Sequence, residues 1–117
     1  MKKPRVLILG ATGFVGRNIW ALLKETGCDV SGLSRTSGCD LMDLLAASRA
    51  IEPLRPDYIV NCAAYVGSIN FVQDFAADVV DQNMRMLLNL YKIAQQLHDV
   101  IVINPIANCG YPGALDL

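Results

Sequence analysis

The chain carries almost no net charge: 10 Lys and Arg stand against 11 Asp and Glu in 117 residues, a formal −1. The basic residues are scattered, so the electrostatic footprint of a nucleic-acid binder is missing. The 4 cysteines, Cys28, Cys39, Cys62 and Cys109, form no C-x-x-C pair and have no histidine close by. That argues against a zinc site, any other metal site or a disulfide framework, and for reduced thiols in a cytoplasmic protein. No apolar run approaches the roughly 18 residues of a membrane span. The start, "MKKPRVLILGATGFVG", has the basic-then-apolar order of a secretion signal, but glycines interrupt it. No small-residue cleavage site follows before Arg17 and Lys24, so a buried strand is expected there.

What is present is apolar. Hydrophobic residues make up 53% of the chain, high for a free-standing domain of a length that suits one domain. They fall into strand and helix patterns in alternation. Arg5 to Leu9 is a β-branched and leucine run ended by Gly10, a strand. Val15 to Thr26 has helical periodicity through Ile19, Leu22 and Leu23, with Gly27 placed as its stop. Asp29 to Leu33 is a second strand, followed by the turn-rich "SRTSGCDLMD". A short helix spans Leu44 to Glu52 and should end before Pro53. "RPDYIVNCAAY" holds a third strand and Val100 to Asn104 a fourth, with a long helix centred on Ala76 to Leu97 between them. No repeat or linker divides the chain. Strands apolar on both faces that alternate with helices predict a Rossmann-like α/β domain, a doubly wound parallel sheet with helices on both sides.

"GATGFVG" sets Gly10, Gly13 and Gly16 between the first strand and the first helix. Glycine there permits a tight turn, a close backbone approach to a pyrophosphate, and packing of the helix on the strand. The amides that open the helix then meet the phosphates, which makes Gly10, Thr12, Gly13, Phe14, Val15 and Gly16 the expected cofactor segment. The end of the second strand selects the cofactor. An NAD site usually offers a carboxylate there, whereas this chain offers Ser34 and Arg35. A guanidinium can fork onto a 2′-phosphate, so NADP is expected and NAD is the alternative; Arg35 as a solvated loop residue is the other reading of that position.

Taken together, these residues resemble the extended branch of the short-chain dehydrogenase/reductase superfamily, the NAD-dependent epimerase/dehydratase enzymes. "CDLMD" looks like the branch's D-L-x-D element, which implies that Asp40 meets the adenine and Leu41 packs on it. "NCAAYVG" is similar to the strand end that sets small residues, here Ala63 and Ala64, beside the cofactor. Within the branch, "AAYVGSINFVQDFAADVVDQNMRMLLNLYKIA" followed by "NCGYP" looks most like the GDP-L-fucose synthase family. That resemblance implies a role in proton chemistry for Cys109. It also exposes a departure, because Ala107 stands where the family has its active-site serine, and a methyl group donates no hydrogen bond. With the family's donor serine absent, either Asn108 takes over its donor role or the parent enzyme is weakened or altered. A small buried hydrophobe at a strand end is the plainer reading of Cys109. The branch's catalytic pair is Y-x-x-x-K. Tyr58, Tyr65, Tyr91 and Tyr111 all lack a lysine four residues on, so the chain is expected to be the N-terminal, cofactor-binding fragment (residues 1–117) of a longer enzyme and inactive alone.

The long helix offers a separate test. At about 100° per residue, Asp81, Gln82, Arg85, Asn89, Lys92 and Gln96 share one sector. Apolar residues fill the remaining arc of roughly 220°, wider than a surface helix needs. One part can cover the sheet; the rest calls for another helix. The resemblance implies a homodimer through the 76–97 helix, and the face bearing Met86, Leu90, Ile93 and Leu97 is expected to form it. The alternative is that Met86, Leu90 and Ile93 pack on the lead-in around Phe71 and Phe75. Asn83 lies within the apolar arc and must find partners; the resemblance implies that it orders the cofactor and catalytic site, and a purely structural amide is the other reading. His98, before Asp99, reads as a surface helix end.

The expected function is NADP-dependent epimerisation and reduction of a 4-keto nucleotide sugar. The alternatives are an NAD-dependent nucleotide-sugar 4-epimerase or dehydratase, and a non-catalytic dinucleotide-sensing domain, which Ala107 favours.

Overall fold

A computed structural model of the chain describes residues 2–106. The first strand, β1 (Arg5–Leu9), leads into α1 (Phe14–Glu25) and β2 (Asp29–Leu33). A 3-10 turn (Arg35–Ser37) and a short loop precede α2 (Leu44–Ile51), a second 3-10 turn (Glu52–Leu54) and β3 (Tyr58–Asn61). Two helices, α3 (Ile69–Asp74) and α4 (Ala76–Gln96), then lead to β4 (Ile101–Ile103). The expected helix end at Pro53 is softer than the proline suggested. The α-helix stops at Ile51, and a 3-10 turn carries the chain through Pro53. A proline in the first turn removes an N–H that would have had no partner there.

The four strands pair in parallel in the order β2-β1-β3-β4. Because side chains alternate along a strand, β1 feeds two cores. Leu7 and Leu9 join Ile59 of β3 under α2 and α4, with Ala47, Ile51, Leu90 and Ile93 buried against them. Val6 and Ile8 join Val60 on the opposite face, where Ile19, Trp20 and Leu23 of α1 pack. Helices on both faces of a parallel sheet are the doubly wound arrangement that the alternating pattern implied. From β1 the chain moves outward to β2 and then crosses back past β1 to β3. The strand order therefore reverses between β1 and β3, and the crevice beyond their C-terminal ends is where such sheets bind ligands. Among the described residues, no helix is long and apolar enough to cross a membrane.

The expected association face of α4 needs correcting. Leu90 and Ile93 are fully buried, and Met86 and Leu97 pack against the same core. They sit on α2 and the sheet, not on the Phe71–Phe75 lead-in, which packs Phe71 against Tyr65 and Phe75. What α4 leaves outside is another stripe, Val80, Met84, Leu88 and Tyr91, 46–62% exposed. Periodicity defined the arc but could not say which half of it met the sheet, because both halves are equally apolar.

At the sheet edge away from the crevice, Arg5 ties the start of β1 to the residue before β3. Its Nη2 lies 2.8 Å from Asp57 Oδ1, and its backbone N–H and Nε donate to Oδ2 at 2.8 and 3.2 Å. The side-chain hydrogen bonds from Arg5, helped by the backbone one, hold the Asp57 carboxyl well below the usual carboxylate range. A carboxyl depressed in the folded state stabilises above its unfolded pKa of about 3.9, and that contribution fades as pH falls toward the folded value. The variant Asp57→Asn should therefore melt at a lower temperature than wild type near neutrality. The gap should narrow as pH is taken from about 5 to about 2.5. Thermal melts of both proteins across that range provide the check, and a gap of constant size would contradict the assignment.

Candidate functional site

A cleft of about 380 Å³ opens at the C-terminal edge of β1 and β3. Its floor is the turn after β1, with Gly10, Thr12 and Gly13; one wall is Ser34, Arg35 and the 39–42 loop, the other is Cys62 to Val66. Gln82 and Met86 of α4 close the back. The structure thus brings Gly10, Thr12, Gly13, Ser34, Arg35, Asp40, Leu41, Ala63 and Ala64, far apart in sequence, into one cavity.

Gly10 makes the cleft possible. Its φ is +70°, a left-handed conformation, and a Cβ there would lie 2.7 Å from Ala63 N and from the Cys62 carbonyl carbon and oxygen. The backbones of the β1 turn and the β3 end are in direct contact, with no room for a side chain between them. Gly10 N and Ala11 N both donate to Leu33 O of β2, at 3.0 and 3.2 Å, so one turn locks three strand ends. Gly16 is the third close approach: a Cβ would meet Gly10 O at 2.2 Å, so the glycine lets α1 press on the turn. Gly13 differs, because a Cβ there would meet only Gly10 O, at 3.3 Å. It has an ordinary φ of −75° as the residue that opens α1.

The opening of α1 suits a phosphate. The helix has no side-chain cap and no acid in its first turn, which leaves its first amides and the positive end of its dipole to a ligand. Phe14 and Val15 stand exposed on that turn and Gly16 is buried beneath the loop, so none of the three lines the cleft, although their amides belong to the helix end beside it. Arg35 is exposed at the cleft rim on its 3-10 turn, and among the described residues it forms no ion pair. β2 ends at Leu33, and Ser34 and Arg35 follow it without a carboxylate.

The side walls are held in different ways. In "CDLMD", Asp40 lines the cleft and its Oδ1 accepts from Met42 N at 2.9 Å. Asp43 instead caps α2, accepting from Leu45 N and Ala46 N at 3.0 Å. The second acid of the motif therefore starts a helix. On the other wall, Asn83 lies behind the surface rather than on it. Its Oδ1 accepts from Tyr65 N and its Nδ2 donates to Tyr65 O, both at 2.8 Å, and Nδ2 also reaches Val79 O at 2.7 Å. The amide in the apolar arc has its partners, and they fix the loop that carries Ala63 to Val66.

Cys39, Cys62, Tyr65, Val66, Gln82 and Met86 also face the cleft, although the sequence marked none of them as a cofactor residue. The i, i+4 pairing of Gln82 and Met86 was the available signal for the helix. Burial pushes both thiols up, with Asp40 adding to the effect at Cys39, so neither is a ready nucleophile. Ala107, Asn108 and Cys109 lie outside the described residues. Among those described, no three His, Cys, Asp or Glu side chains gather as metal ligands.

Residues 6–113 match the model of the NAD dependent epimerase/dehydratase family. GDP-L-fucose synthase from Dictyostelium discoideum is 26% identical over 94% of this chain and 35% of its own length. A GDP-L-fucose synthetase from Naegleria fowleri, solved bound to NADP, superposes with a TM-score of 0.76 at 21% identity, over 100% of this chain and 35% of that one. UDP-glucose 4-epimerase from Thermus thermophilus, solved with NAD, gives 0.71 at 25% identity, over 80% of this chain and 34% of the other. The chain spans about a third of the length of the curated relatives it matches.

The contrast between two glycines of the floor is testable without any ligand. Gly10→Ala forces a Cβ into backbone at a positive φ and should cost about 2–4 kcal/mol. Gly13→Ala meets nothing so close and should stay within about 1 kcal/mol of wild type. Urea denaturation of the two variants is the measurement. Equal losses would mean that the β1 turn is not pressed on β3 as described.

Proposed function

The chain belongs to the NAD dependent epimerase/dehydratase family, and on that footing we propose that it binds NADP(H) as the cofactor part of a nucleotide-sugar epimerase/reductase. The observation that carries the reading is the cleft at the strand-order reversal, floored by Gly10 and Gly13 beside an uncapped helix start, with Arg35 at its rim. The first amides of α1 would take the pyrophosphate. Arg35 would fork onto the 2′-phosphate, and Asp40 and Leu41 would hold the adenine. Ala63 and Ala64 are small enough to admit the nicotinamide end without filling it. When bound, that cofactor supplies hydride to a sugar carbon. The residues of this chain orient it and exclude water beneath it, with the buried Leu9 and Leu41 as part of the floor and wall.

Substrate chemistry of the GDP-L-fucose synthase kind would draw on Asn108 as a donor in place of the serine that Ala107 replaces, and on Cys109 for a proton. With no Y-x-x-x-K in the sequence, we assign to residues 1–117 cofactor binding without turnover, as a domain of a longer enzyme. Free thiols at Cys28, Cys39 and Cys62 fit a cytoplasmic protein. A dinucleotide-sensing domain is the second reading, favoured by Ala107; an NAD-dependent 4-epimerase would need an acid at the end of β2, where Ser34 and Arg35 stand.

We also assign α4 to a homodimer interface, now through its outer stripe of Val80, Met84, Leu88 and Tyr91. Each is roughly half exposed, so covering one contributes on the order of 1 kcal/mol, and a two-fold pairing of identical helices is the simplest closed arrangement.

Two measurements check these assignments. Calorimetric titration should find NADPH bound at least about tenfold more tightly than NADH, the scale of one charge-assisted contact, with Arg35→Ala abolishing most of the preference. Equal affinities in the wild type would contradict it. Sedimentation across a concentration series should show a dimer that Leu88→Glu splits. A wild type monomeric at high micromolar concentration, or a dimer indifferent to the substitution, would remove the interface.

A further inference from the structure

The loop 39–43, which carries Asp40, Leu41 and Met42 into the cleft, is neither helix nor strand. Most of its hydrogen bonds are local: Cys39 N to Ser34 O, Met42 N to Asp40 Oδ1 and Asp43 N to Asp40 O. Local bonds shape a loop but do not say where it stands relative to the rest of a cavity. Among the described residues, the hydrogen bonds that reach this loop from a distant element come from one side chain. Asn89 of α4 donates through Nδ2 to Leu41 O at 2.8 Å and lies 3.4 Å from Met42 O. The same helix holds the opposite wall through Asn83, and its Gln82 and Met86 face the cleft.

We propose that Asn89 is a positioning residue for the adenine end of the cofactor site, setting the distance of the 39–43 wall from α4 while Asn83 sets that of the Tyr65 wall. The proposal rests on the cofactor reading above. Asn89 does not line the cleft and touches no ligand. It acts through the Leu41 carbonyl, and through the backbone of that loop it holds Asp40 and Leu41 where an adenine would meet them. An isosteric aspartate would remove the donor and set a carboxylate against two carbonyl oxygens, so Asn89→Asp should do more harm than Asn89→Ala.

The test has a ligand-free arm and a ligand arm, both on the full chain. Hydrogen exchange should show faster exchange in residues 39–43 of Asn89→Ala than in wild type, with the amides of β1 and β3 unchanged. Calorimetry should then show NADPH and adenosine 2′,5′-bisphosphate, which carries only the adenine end, weakened by a similar factor of about ten in Asn89→Ala. Asn83→Ala should weaken NADPH but leave the bisphosphate near its wild-type affinity. If Asn89→Ala leaves the 39–43 amides as they were, or binds both probes like wild type, the proposal is overturned while the cofactor reading stands. The proposal is equally overturned if both variants weaken the bisphosphate alike, since that is general loosening of the fold. A wild type that binds neither probe overturns the cofactor reading and the proposal with it.

Discussion

The contact on which the rest of the molecule depends is between two backbones: the turn at Gly10 and the β3 end at Cys62 and Ala63. A Cβ at position 10 would lie 2.7 Å from either residue's backbone, so a side chain there would part the two strand ends. From this contact follow the position of the cleft, the start of α1 and the closeness of Gly16 to Gly10 O. The turn also accepts its place from β2, since Gly10 and Ala11 donate to the Leu33 carbonyl. One glycine in a left-handed conformation thus places the ends of β1, β2 and β3 around a common cavity.

α4 is the second organiser, and its faces do separate work. Its inner face buries Leu90 and Ile93 against α2 and the sheet, which fixes the helix to the core. On either side of that inner face it carries Asn83 and Asn89, each bonded to the backbone of a different cleft wall. Its outer face is apolar and open. A helix held rigid by the core is a good ruler for a cavity, because hydrogen bonds from it carry the core's position to loops with little structure of their own.

Most of the fold was legible in the sequence. Strand runs such as "RVLIL" and "DVSGL" are short and bounded by turn residues, so their limits agree with the structure to the residue or nearly so. The glycine spacing was legible because each requirement for glycine is local: a turn, a contact, a helix start. The face of α4 was not. A helix apolar over more than half its circumference offers two equivalent ways to meet a sheet, and the choice shows only in the packed core, where Leu90 and Ile93 meet Leu7, Leu9 and Ile59 of the sheet and Ala47 and Ile51 of α2. Nor was the task of Asn89 legible, because its partner, the Leu41 carbonyl, lies far away in sequence and leaves no side-chain signature; for Asn83 the resemblance implied an ordering role but did not name its partner, the Tyr65 backbone. Asp43 is the local counterpart: a motif acid that accepts from Leu45 N and Ala46 N, two and three residues on, and so caps α2.

If the cleft is the cofactor site, a dinucleotide binds at the reversal of strand order between β1 and β3, and nowhere else on the described surface. A titration of isotope-labelled protein with NADPH, followed by amide chemical shifts, tests it most directly. The large changes should fall at Gly10 to Gly16, Ser34 and Arg35, Asp40 to Met42 and Ala63 to Val66. The amides of Arg55 and Asp57, which line a separate depression at the opposite edge of the sheet, should stay in place. Changes confined to that opposite edge, or none at saturating NADPH, would contradict it.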